Sequence, residues 1–387
     1  MREVRIGMVG YKFMGKAHSH AYHDIPLFFK AVPIPIKQVI CGRDKIALEE
    51  ARKQFSWLGA ETDWRELVRR DDIDVVDINA PSNAHKEIVL AAAAHGKHVF
   101  CEKPLALTLQ DAKEMLEAVR QAGVLHMIGF NYRFVPAVRL AKSLIADGRI
   151  GDVYHFRATF LQDWIVDPSF PLVWRMDKTV AGSGAHGDLG AHLIDVARYL
   201  VGEIDDVVGM SETFGKSRPI PTAMTGLTAS SPVGAAHGEV TVDDATAFLA
   251  RFANGALGTF EATRFAAGHR CSNSFEVNGS LGSLRFDFER MNELQVYFRS
   301  DDPDVQGFRK IIATDPAHAY SEVWWPPGHT IGYEHTFIHE VVELLQAIEE
   351  DRQPEPNFVD GVLCQAVLEG VEQSIAERSW VKIDRGV

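Results

Sequence analysis

The chain has 387 residues, of which 46% are hydrophobic and 24% charged, and this length predicts two domains rather than one. Its formal net charge of −13 disfavours nucleic acid and anionic membrane surfaces as partners, because no cluster of lysines and arginines offsets the repulsion. The four cysteines lie far apart and no apolar run approaches the ~20 residues that span a bilayer, which favours a cytoplasmic protein with reduced thiols.

The first third of the chain alternates short apolar runs with amphipathic stretches. The runs predict strands at 4–9, 38–41, 75–78, 98–101 and 125–129, and helical spacing follows at 63–70 and 83–95. Thr108 and Asp111 resemble a capping box and predict a helix that continues to Gln121. Such alternation is typical of a parallel sheet wrapped by helices, so residues 1–130 are predicted to form a dinucleotide-binding Rossmann domain.

Residues 131–387 are predicted to form an α+β domain built on a large, mostly antiparallel open sheet. After a helix at 136–146, alternating runs predict strands at 153–161, 247–253, 256–265, 275–278, 283–288 and 293–299. Asn254-Gly255 between two such runs is a strong local signal for a hairpin. Further helices are predicted at 188–200, 336–347 and 359–376, and the segment 219–238, rich in Gly, Pro, Ser and Thr, is predicted to be a loop.

A glycine-containing segment follows the first predicted strand and leads toward a helix, which is the context of a dinucleotide fingerprint. Gly10 and Gly15 occupy the first and third glycine places, whereas Lys12 occupies the middle one. The ammonium of Lys12 could reach a phosphate as a point charge. We predict cofactor contacts at Gly10, Lys12, Phe13, Met14 and Gly15. The alternative is a glycine turn in another kind of α/β domain.

The ends of the later strands supply the other predicted cofactor contacts. Gly42 with Arg43 favours NADP over NAD, because an NAD enzyme commonly places a carboxylate there, although Asp44 is close enough to reverse this preference. Asn83 more commonly caps the following helix. The remaining predicted contacts are Ala80, Pro81, Asn83, His85, Glu102, Lys103 and Asn131. NAD or NADP is thus the predicted cofactor, with NADP favoured.

Lys103 lies between Glu102 and Pro104, directly after the predicted strand at 98–101. Pro104 disfavours helix at the preceding residue and lacks an N–H, so the strand ladder ends there. Ligands of open α/β sheets bind just beyond such strand ends, which indicates a catalytic role for Lys103. The alternative is a solvated loop lysine.

Asp188 and His192 lie four residues apart in the predicted helix at 188–200, so their side chains share a face that Asp195 continues. A carboxylate that orients a histidine sets its tautomer and its basicity, as a proton-abstracting residue requires. A capping aspartate and a buried structural histidine are the alternative. His186 upstream suggests a metal, but no further ligand follows at a suitable spacing, so no metal is predicted.

Several of these segments together resemble the Gfo/Idh/MocA family of oxidoreductases, and the likeness spans nearly the whole chain. They are the glycine loop, Glu102-Lys103-Pro104, residues 129–133, and residues 182–184 followed by Asp188 and His192. The resemblance implies a C-terminal domain that binds substrate and whose open sheet supports dimers or tetramers. It also implies that the catalytic lysine, aspartate and histidine are Lys103, Asp188 and His192. Lys12 and Gly42-Arg43 depart from the family pattern.

Within the family, residues 161–164, 167–168, 171–172 and 174–175 look like the levoglucosan dehydrogenase branch, as do 15–19 and 331–333. That branch oxidises the C3 hydroxyl of a pyranose. The resemblance therefore implies hydride transfer from a ring hydroxyl of a pyranose, anhydrosugar, glycoside or inositol to nicotinamide. His192 would take the proton, and Lys103 would hydrogen-bond the oxygen. The predicted substrate contacts are Lys103, Tyr132, Arg133, Asp163, Trp164, Arg175, Asp188, His192 and Tyr333.

Alternatives remain for both the residues and the function. Core packing explains each predicted aromatic contact equally well. Some relatives of this fold are NAD-dependent glycoside hydrolases that oxidise a sugar transiently, eliminate the aglycone and return the hydride. A nucleotide-sensing regulator without catalysis is the third possibility, which an intact Lys103, Asp188 and His192 disfavours.

Overall fold

The computed structural model describes residues 2–221, 223–225, 228–230 and 234–386. Within them the chain forms two compact units: unit 1 comprises residues up to 131 and 333–365, and unit 2 comprises 132–332 and 366–386. The domain boundary predicted between residues 130 and 131 stays a prediction. In the structure, residues 333–365 from late in the chain also belong to unit 1. None of the described helices combines the length and apolar character needed to cross a membrane.

Unit 1 is built on a six-stranded parallel sheet with the order β3-β2-β1-β4-β5-β6. Its strands are β1 (Glu3–Val9), β2 (Ile34–Cys41), β3 (Gly59–Glu61), β4 (Val75–Ile78), β5 (His98–Glu102) and β6 (His126–Gly129). This is the Rossmann order, which confirms the predicted fold, and its direction reverses between β1 and β4, where such sheets bind ligands. Both β4 and β6 are buried along their whole length, as helices on both faces require.

The first helices of unit 1 connect these strands. They are α1 (Phe13–Phe28), α2 (Lys45–Gln54), α3 (Trp64–Arg69), α4 (His85–Ala94) and α5 (Leu109–Ala122). The side chain of Thr108 accepts from the N–H of Asp111 at 3.1 Å, which confirms the predicted start of α5. The predicted cap at Asn83 is wrong, because the chain enters α4 through a 3₁₀ turn at Ser82–Ala84, and Ala84 provides no side-chain acceptor.

Unit 2 contains a nine-stranded sheet with the order β18-β17-β16-β15-β7-β14-β13-β8-β19, in which only β7 and β14 pair in parallel. The mostly antiparallel sheet is therefore confirmed. Its strands are β7 (Val153–Leu161), β8 (Ile204–Glu212), β13 (Ala245–Phe252), β14 (Leu257–Thr263), β15 (Ser272–Gly279), β16 (Gly282–Asp287), β17 (Glu293–Phe298), β18 (Arg309–Ile312) and β19 (Val381–Lys382). The hairpin predicted at Asn254-Gly255 joins β13 to β14, and Gly255 has a φ of 87°.

The segment predicted as a loop at 219–238 contains short strand pairs instead. β9 (Ser217–Pro219) pairs with β12 (His237–Glu239), and β10 (Ala223–Thr225) pairs with β11 (Thr228–Ser230). Strands of three residues are too short to show a hydrophobic alternation in the sequence, so the prediction missed them. The parts of this segment at 222, 226–227 and 231–233 lie outside the described residues.

Helical segments in unit 2 are α6 (Pro136–Ala146), the four-residue α7 (Lys178–Ala181) and α8 (Ala191–Leu200). A π-helical turn at His186–Gly190 runs directly into α8. The helix predicted from residue 188 therefore begins as a π turn rather than an α turn. Such turns are rare and frequently occur at functional sites.

The last helices are α9 (Tyr333–Glu350) and α10 (Phe358–Glu377). In α9, the Phe337 ring lies 5.7 Å from the His18 ring of α1, between centroids. At the start of α10, the Phe358 ring lies 5.0 Å from the ring of His126. The segment 333–365 thus completes the core of unit 1.

Candidate active site

The first glycine turn follows β1 and leads into α1. Gly10 has a φ of 102°, and a Cβ there would lie 2.5 Å from the carbonyl oxygen of Asn79. A Cβ at Gly15 would lie 2.2 Å from the carbonyl oxygen of Gly10, so this turn requires both glycines. Exposed Lys12 is the N-cap residue of α1. The turn fits a pyrophosphate at a helix N-terminus, and it carries Gly10, Lys12, Phe13, Met14 and Gly15.

The end of β2 is shaped by Gly42. A Cβ at Gly42 would lie 2.1 Å from Cε1 of Tyr11, so the Tyr11 ring lies directly against this backbone. The carboxylate of Asp44 accepts from the N–H groups of residues 46 and 47 at 3.0 and 3.2 Å, and it caps α2. Arg43 is exposed. The Asp44 carboxylate thus has a structural role as the cap of α2, and the preference for NADP drawn from Gly42 and Arg43 stays a prediction.

His85 links the loops that follow β4 and β5. Its buried imidazole has Nε2 2.9 Å from the carbonyl oxygen of Ala80 and Nδ1 3.1 Å from that of Pro104. Burial lowers the pKa of His85, although the carbonyl contacts oppose this shift. The ring therefore lies between two strand-end loops, and in its neutral form one ring nitrogen donates to one of these carbonyl oxygens. Of the neighbouring predicted contacts, Asn83 is exposed and Pro81 is half-buried.

Lys103 lies directly beyond the C-terminal end of β5. It is half-buried, and its backbone N–H donates to Oε2 of Glu102 at 3.1 Å. Asn131 follows β6 and donates from Nδ2 to Oγ1 of Thr336 at 2.8 Å. Lys103 and Asn131 thus lie at the carboxyl edge of the parallel sheet, where ligands of such folds bind.

A buried charged cluster, not predicted from the sequence, lies beside this sheet edge. The His18 imidazole is fully buried, with Nδ1 3.0 Å from Oδ2 of Asp77 and Nε2 3.2 Å from Oε1 of Glu102. Its ring stacks on Phe100 at 4.9 Å, and the hydroxyl of Tyr22 donates to Asp77 at 3.0 Å. Burial alone would lower the pKa of His18, but Asp77 and Glu102 outweigh it and raise the pKa to about 10. His18 is therefore an imidazolium that links Glu102, the neighbour of Lys103, to β4.

In unit 2, Asp188 lies on the π-helical turn, whose backbone is fixed by Asp243. The Asp243 carboxylate accepts from the N–H of Gly184 at 2.7 Å and from the N–H of His186 at 2.8 Å. A Cβ at Gly184 would lie 1.8 Å from the Asp243 carbonyl oxygen, so glycine is required there. Oδ2 of Asp188 accepts from Nη2 of Arg264 at 2.8 Å. This anchoring sets where the Asp188 carboxylate points.

His192 lies at the start of α8 among aromatic side chains. Its ring packs edge-to-face with the ring of Tyr132, with 4.6 Å between the two centroids. The centroid of the Phe160 ring lies 6.1 Å from that of His192. Arg133 is buried and donates to Asp195, with Nη2 2.6 Å from Oδ1. This ion pair engages Arg133 within unit 2, and its predicted sugar contact stays a prediction.

His186, which suggested a metal, faces the backbone instead. Its Nε2 lies 2.9 Å from the carbonyl oxygen of Leu368. Across the described stretches of the chain, no group of three or more His, Cys, Asp or Glu side chains is arranged to hold a metal ion.

The other predicted sugar contacts have partners of their own. Asp163 accepts from the N–H of Gly268 at 3.1 Å, and Trp164 packs edge-on against Phe170 at 5.1 Å. The guanidinium of Arg175 lies 4.4 Å from the ring centroid of Trp174. Tyr333 belongs to unit 1, where it packs edge-on against Phe337 at 4.9 Å.

Comparison with known proteins defines the class to which this fold and these residues belong. Residues 4–130 match the model of an oxidoreductase family with an NAD-binding Rossmann fold, and residues 138–285 match the GFO/IDH/MocA C-terminal domain. The chain therefore belongs to the Gfo/Idh/MocA family and is an NAD-dependent oxidoreductase, which confirms the resemblance inferred from its motifs.

Individual relatives show which members of the family this chain is similar to. The chain is 44% identical over 388 residues to levoglucosan dehydrogenase of Pseudarthrobacter phenanthrenivorans, covering 99% of each protein. A levoglucosan dehydrogenase in complex with NADH and levoglucosan superposes with a TM-score of 0.94 at 43% identity, covering 99% of this chain and 100% of that one. An oxidoreductase domain protein from Kribbella flavida, at 51% identity with the same coverage, also has a TM-score of 0.94.

Proposed function

We propose that this enzyme oxidises a ring hydroxyl, at C3, of a pyranose or anhydrosugar, with levoglucosan as the first substrate to test. This proposal depends chiefly on the 44% identity to levoglucosan dehydrogenase, which extends over 99% of the chain. It is supported by Lys103 at the end of β5 and by Asp188 and His192 on the π turn and the start of α8. Glycosides and inositols are the related substrate classes.

The proposed chemistry divides between three side chains. When bound, the nicotinamide cofactor supplies the hydride acceptor. The imidazole of His192 takes the hydroxyl proton, and Asp188 orients that imidazole and the sugar. The ammonium of Lys103 hydrogen-bonds the same oxygen as it gains carbonyl character. The glycine turn at Gly10 and Gly15 would hold the pyrophosphate at the start of α1, and a Cβ at either position would meet neighbouring backbone and force the turn out of this conformation.

The decisive experiment is a substrate screen followed by the absorbance of reduced nicotinamide. Mass spectrometry of the purified protein first identifies any nicotinamide that travels with it. Levoglucosan, glucose, myo-inositol and aryl glucosides are then tested with NAD⁺ and NADP⁺. Stoichiometric reduced cofactor with levoglucosan supports the proposal. Aglycone release without accumulation of reduced cofactor identifies the glycoside hydrolase, and cofactor binding without turnover identifies the regulator.

Arg43 is proposed to favour NADP, and its substitution supplies a prediction. Arg43→Gln is expected to lower kcat/KM for NADP⁺ by about 10-fold or more, because a charged hydrogen bond to the 2′-phosphate contributes ~1.5–3 kcal/mol. The value for NAD⁺ should stay near that of the native enzyme. Arg69→Gln, which removes an exposed arginine paired with Glu66 on α3, is the control. An unchanged ratio between the two cofactors in Arg43→Gln would contradict this role.

The assembly is proposed to be a homodimer or homotetramer formed through the open sheet of unit 2. One face of that sheet exposes apolar side chains, including Met210 and Leu249 at 71% and 48% of their surface. Large exposed apolar patches typically mark interfaces. We also propose a cytoplasmic location, which fits the reduced Cys41, Cys101, Cys271 and Cys364.

A further inference from the structure

Arg264 stands out because its side chain is buried at considerable cost. It is only 1% exposed, and its Nη2 donates to Asp188. Its Nη1 lies 3.4 Å from the carbonyl oxygen of Arg175, and its guanidinium lies 5.3 Å from the ring centroid of Trp164. Its Nε is buried and has no hydrogen-bond partner among the described residues.

Packing alone does not explain an arginine at this position. A buried guanidinium loses its hydration, and a donor without an acceptor adds a further cost. An apolar side chain of similar volume often packs as well or better in place of a buried ion pair. The arginine is therefore best explained by what its charge does to Asp188.

The carboxylate of Asp188 lies where the charge of Arg264 can act on it. Asp188 keeps 30% of its side chain exposed, in contrast to Arg264. A neighbouring cation favours the ionised form of a carboxylate, and a charged hydrogen bond fixes its direction. Arg175 is a second cation near Asp188, and the influence of Asp188 on it opposes the lowering of its pKa by burial. Of these two arginines, Arg264 makes the direct hydrogen bond to Asp188.

The β13–β14 hairpin holds the π turn at two points. Asp243, at its start, binds the backbone at Gly184 and His186, and Arg264, at its end, binds the Asp188 side chain. The backbone N–H of Arg264 itself donates to the carbonyl oxygen of Asp244 at 2.9 Å. Residues at the two ends of one hairpin therefore fix both the backbone of the π turn and the direction of the Asp188 carboxylate.

We propose that Arg264 is a positioning residue that acts through Asp188, directing its carboxylate by a charged hydrogen bond so that it can orient His192. This inference rests on the proposed function, because it takes Asp188 and His192 as the reacting pair. Arg264 itself lies too deep to touch a substrate.

A matched control exists in the same unit. Arg198 on α8 donates Nη2 to Oε1 of Glu203 at 2.8 Å, and the two side chains are 4% and 34% exposed. The corresponding values for Arg264 and Asp188 are 1% and 30%. The two ion pairs are thus alike in length and burial, but only one includes a proposed catalytic residue.

The test compares Arg264→Met with Arg198→Met, using levoglucosan and NAD⁺. Each substitution removes one partner of an ion pair and leaves a carboxylate that is about a third exposed, so both variants are expected to fold and to lose Tm to a similar extent. Arg264→Met should lose about 100-fold in kcat, since a misplaced catalytic group costs about that much, with a smaller change in KM. Arg198→Met should keep the native kcat.

A second variant, Arg264→Ala, provides a test that does not depend on the folding of Arg264→Met. Arg264→Ala leaves a space that guanidinium from solution can enter, so millimolar guanidinium chloride should raise its kcat while leaving Arg198→Ala unchanged. A native kcat in Arg264→Met, or no rescue of Arg264→Ala, overturns the proposal. If the native enzyme turns over no sugar in the screen, the proposed function has failed instead, so the two failures are distinguishable.

Discussion

Replacing Lys103 by methionine is expected to reduce turnover by about 10³-fold or more while leaving cofactor affinity nearly unchanged. Methionine keeps the length of the side chain but removes the ammonium that hydrogen-bonds the reacting oxygen. Removing a single charged or proton-transferring group of this kind costs ~10²–10⁴-fold in rate. The measurement is kcat for the sugar identified by the screen, together with the dissociation constant of NADH from fluorescence titration.

Lys53→Met is the matched control for this experiment. Lys53 is exposed on α2 and pairs with Glu49 at 3.5 Å, so its loss should alter neither turnover nor cofactor binding. Native turnover by Lys103→Met would exclude the assigned role. Loss of NADH binding together with turnover would instead indicate that Lys103 supports the nucleotide site.

Replacing His18 by leucine is expected to lower the free energy of unfolding by about 3–5 kcal/mol. The change leaves the carboxylates of Asp77 and Glu102 buried without the imidazolium between them, and breaking a buried ion pair from one side costs that much. His20→Leu is the control, because 42% of the His20 side chain is exposed and its ion pair is with Asp24 on the same helix. Its effect should stay within about 0.5 kcal/mol.

The His18 contribution should also depend on pH in a defined direction. The pKa of His18 is raised from 6.5 to about 10 in the folded protein, so folding favours the protonated ring. Its stabilisation is fully present below pH 6.5 and is lost as the pH rises through the folded-state value. Urea denaturation of the native protein and of His18→Leu should show a difference that shrinks between pH 6.5 and about 10. A constant difference over this range would contradict the charged state of His18.

The fold was largely predictable because its strands in unit 1 are apolar runs of local sequence. The run at 75–78 was predicted with its observed bounds, whereas β3 has three residues and no apolar run. Residues 333–365 belong to unit 1 because α9 packs against α1, and these two helices are far apart in sequence. The π turn before α8 depends on the hydrogen bonds of Asp243, and residue spacing alone does not reveal those.

The candidate site was predictable where a residue adjoins a strand end or a family motif, as Lys103 does. His18 and Arg264 were missed because their partners come from distant segments. A signal for the first was present: Asp77 interrupts an otherwise apolar, fully buried strand, and a buried carboxylate requires a partner. Arg264 follows the alternating strand β14 directly, and no comparable local signal marks it.

Unit 1 is built from two separate stretches of the chain, and this affects how it folds during synthesis. Residues up to 131 emerge first from the ribosome, yet α9, which covers α1, becomes available only after more than half of the remaining chain has been translated. Until then the face of α1 that packs against α9 lacks that partner. A nascent chain that stalls within unit 2 therefore presents an unfinished nucleotide-binding fold, which is the kind of surface that chaperones recognise.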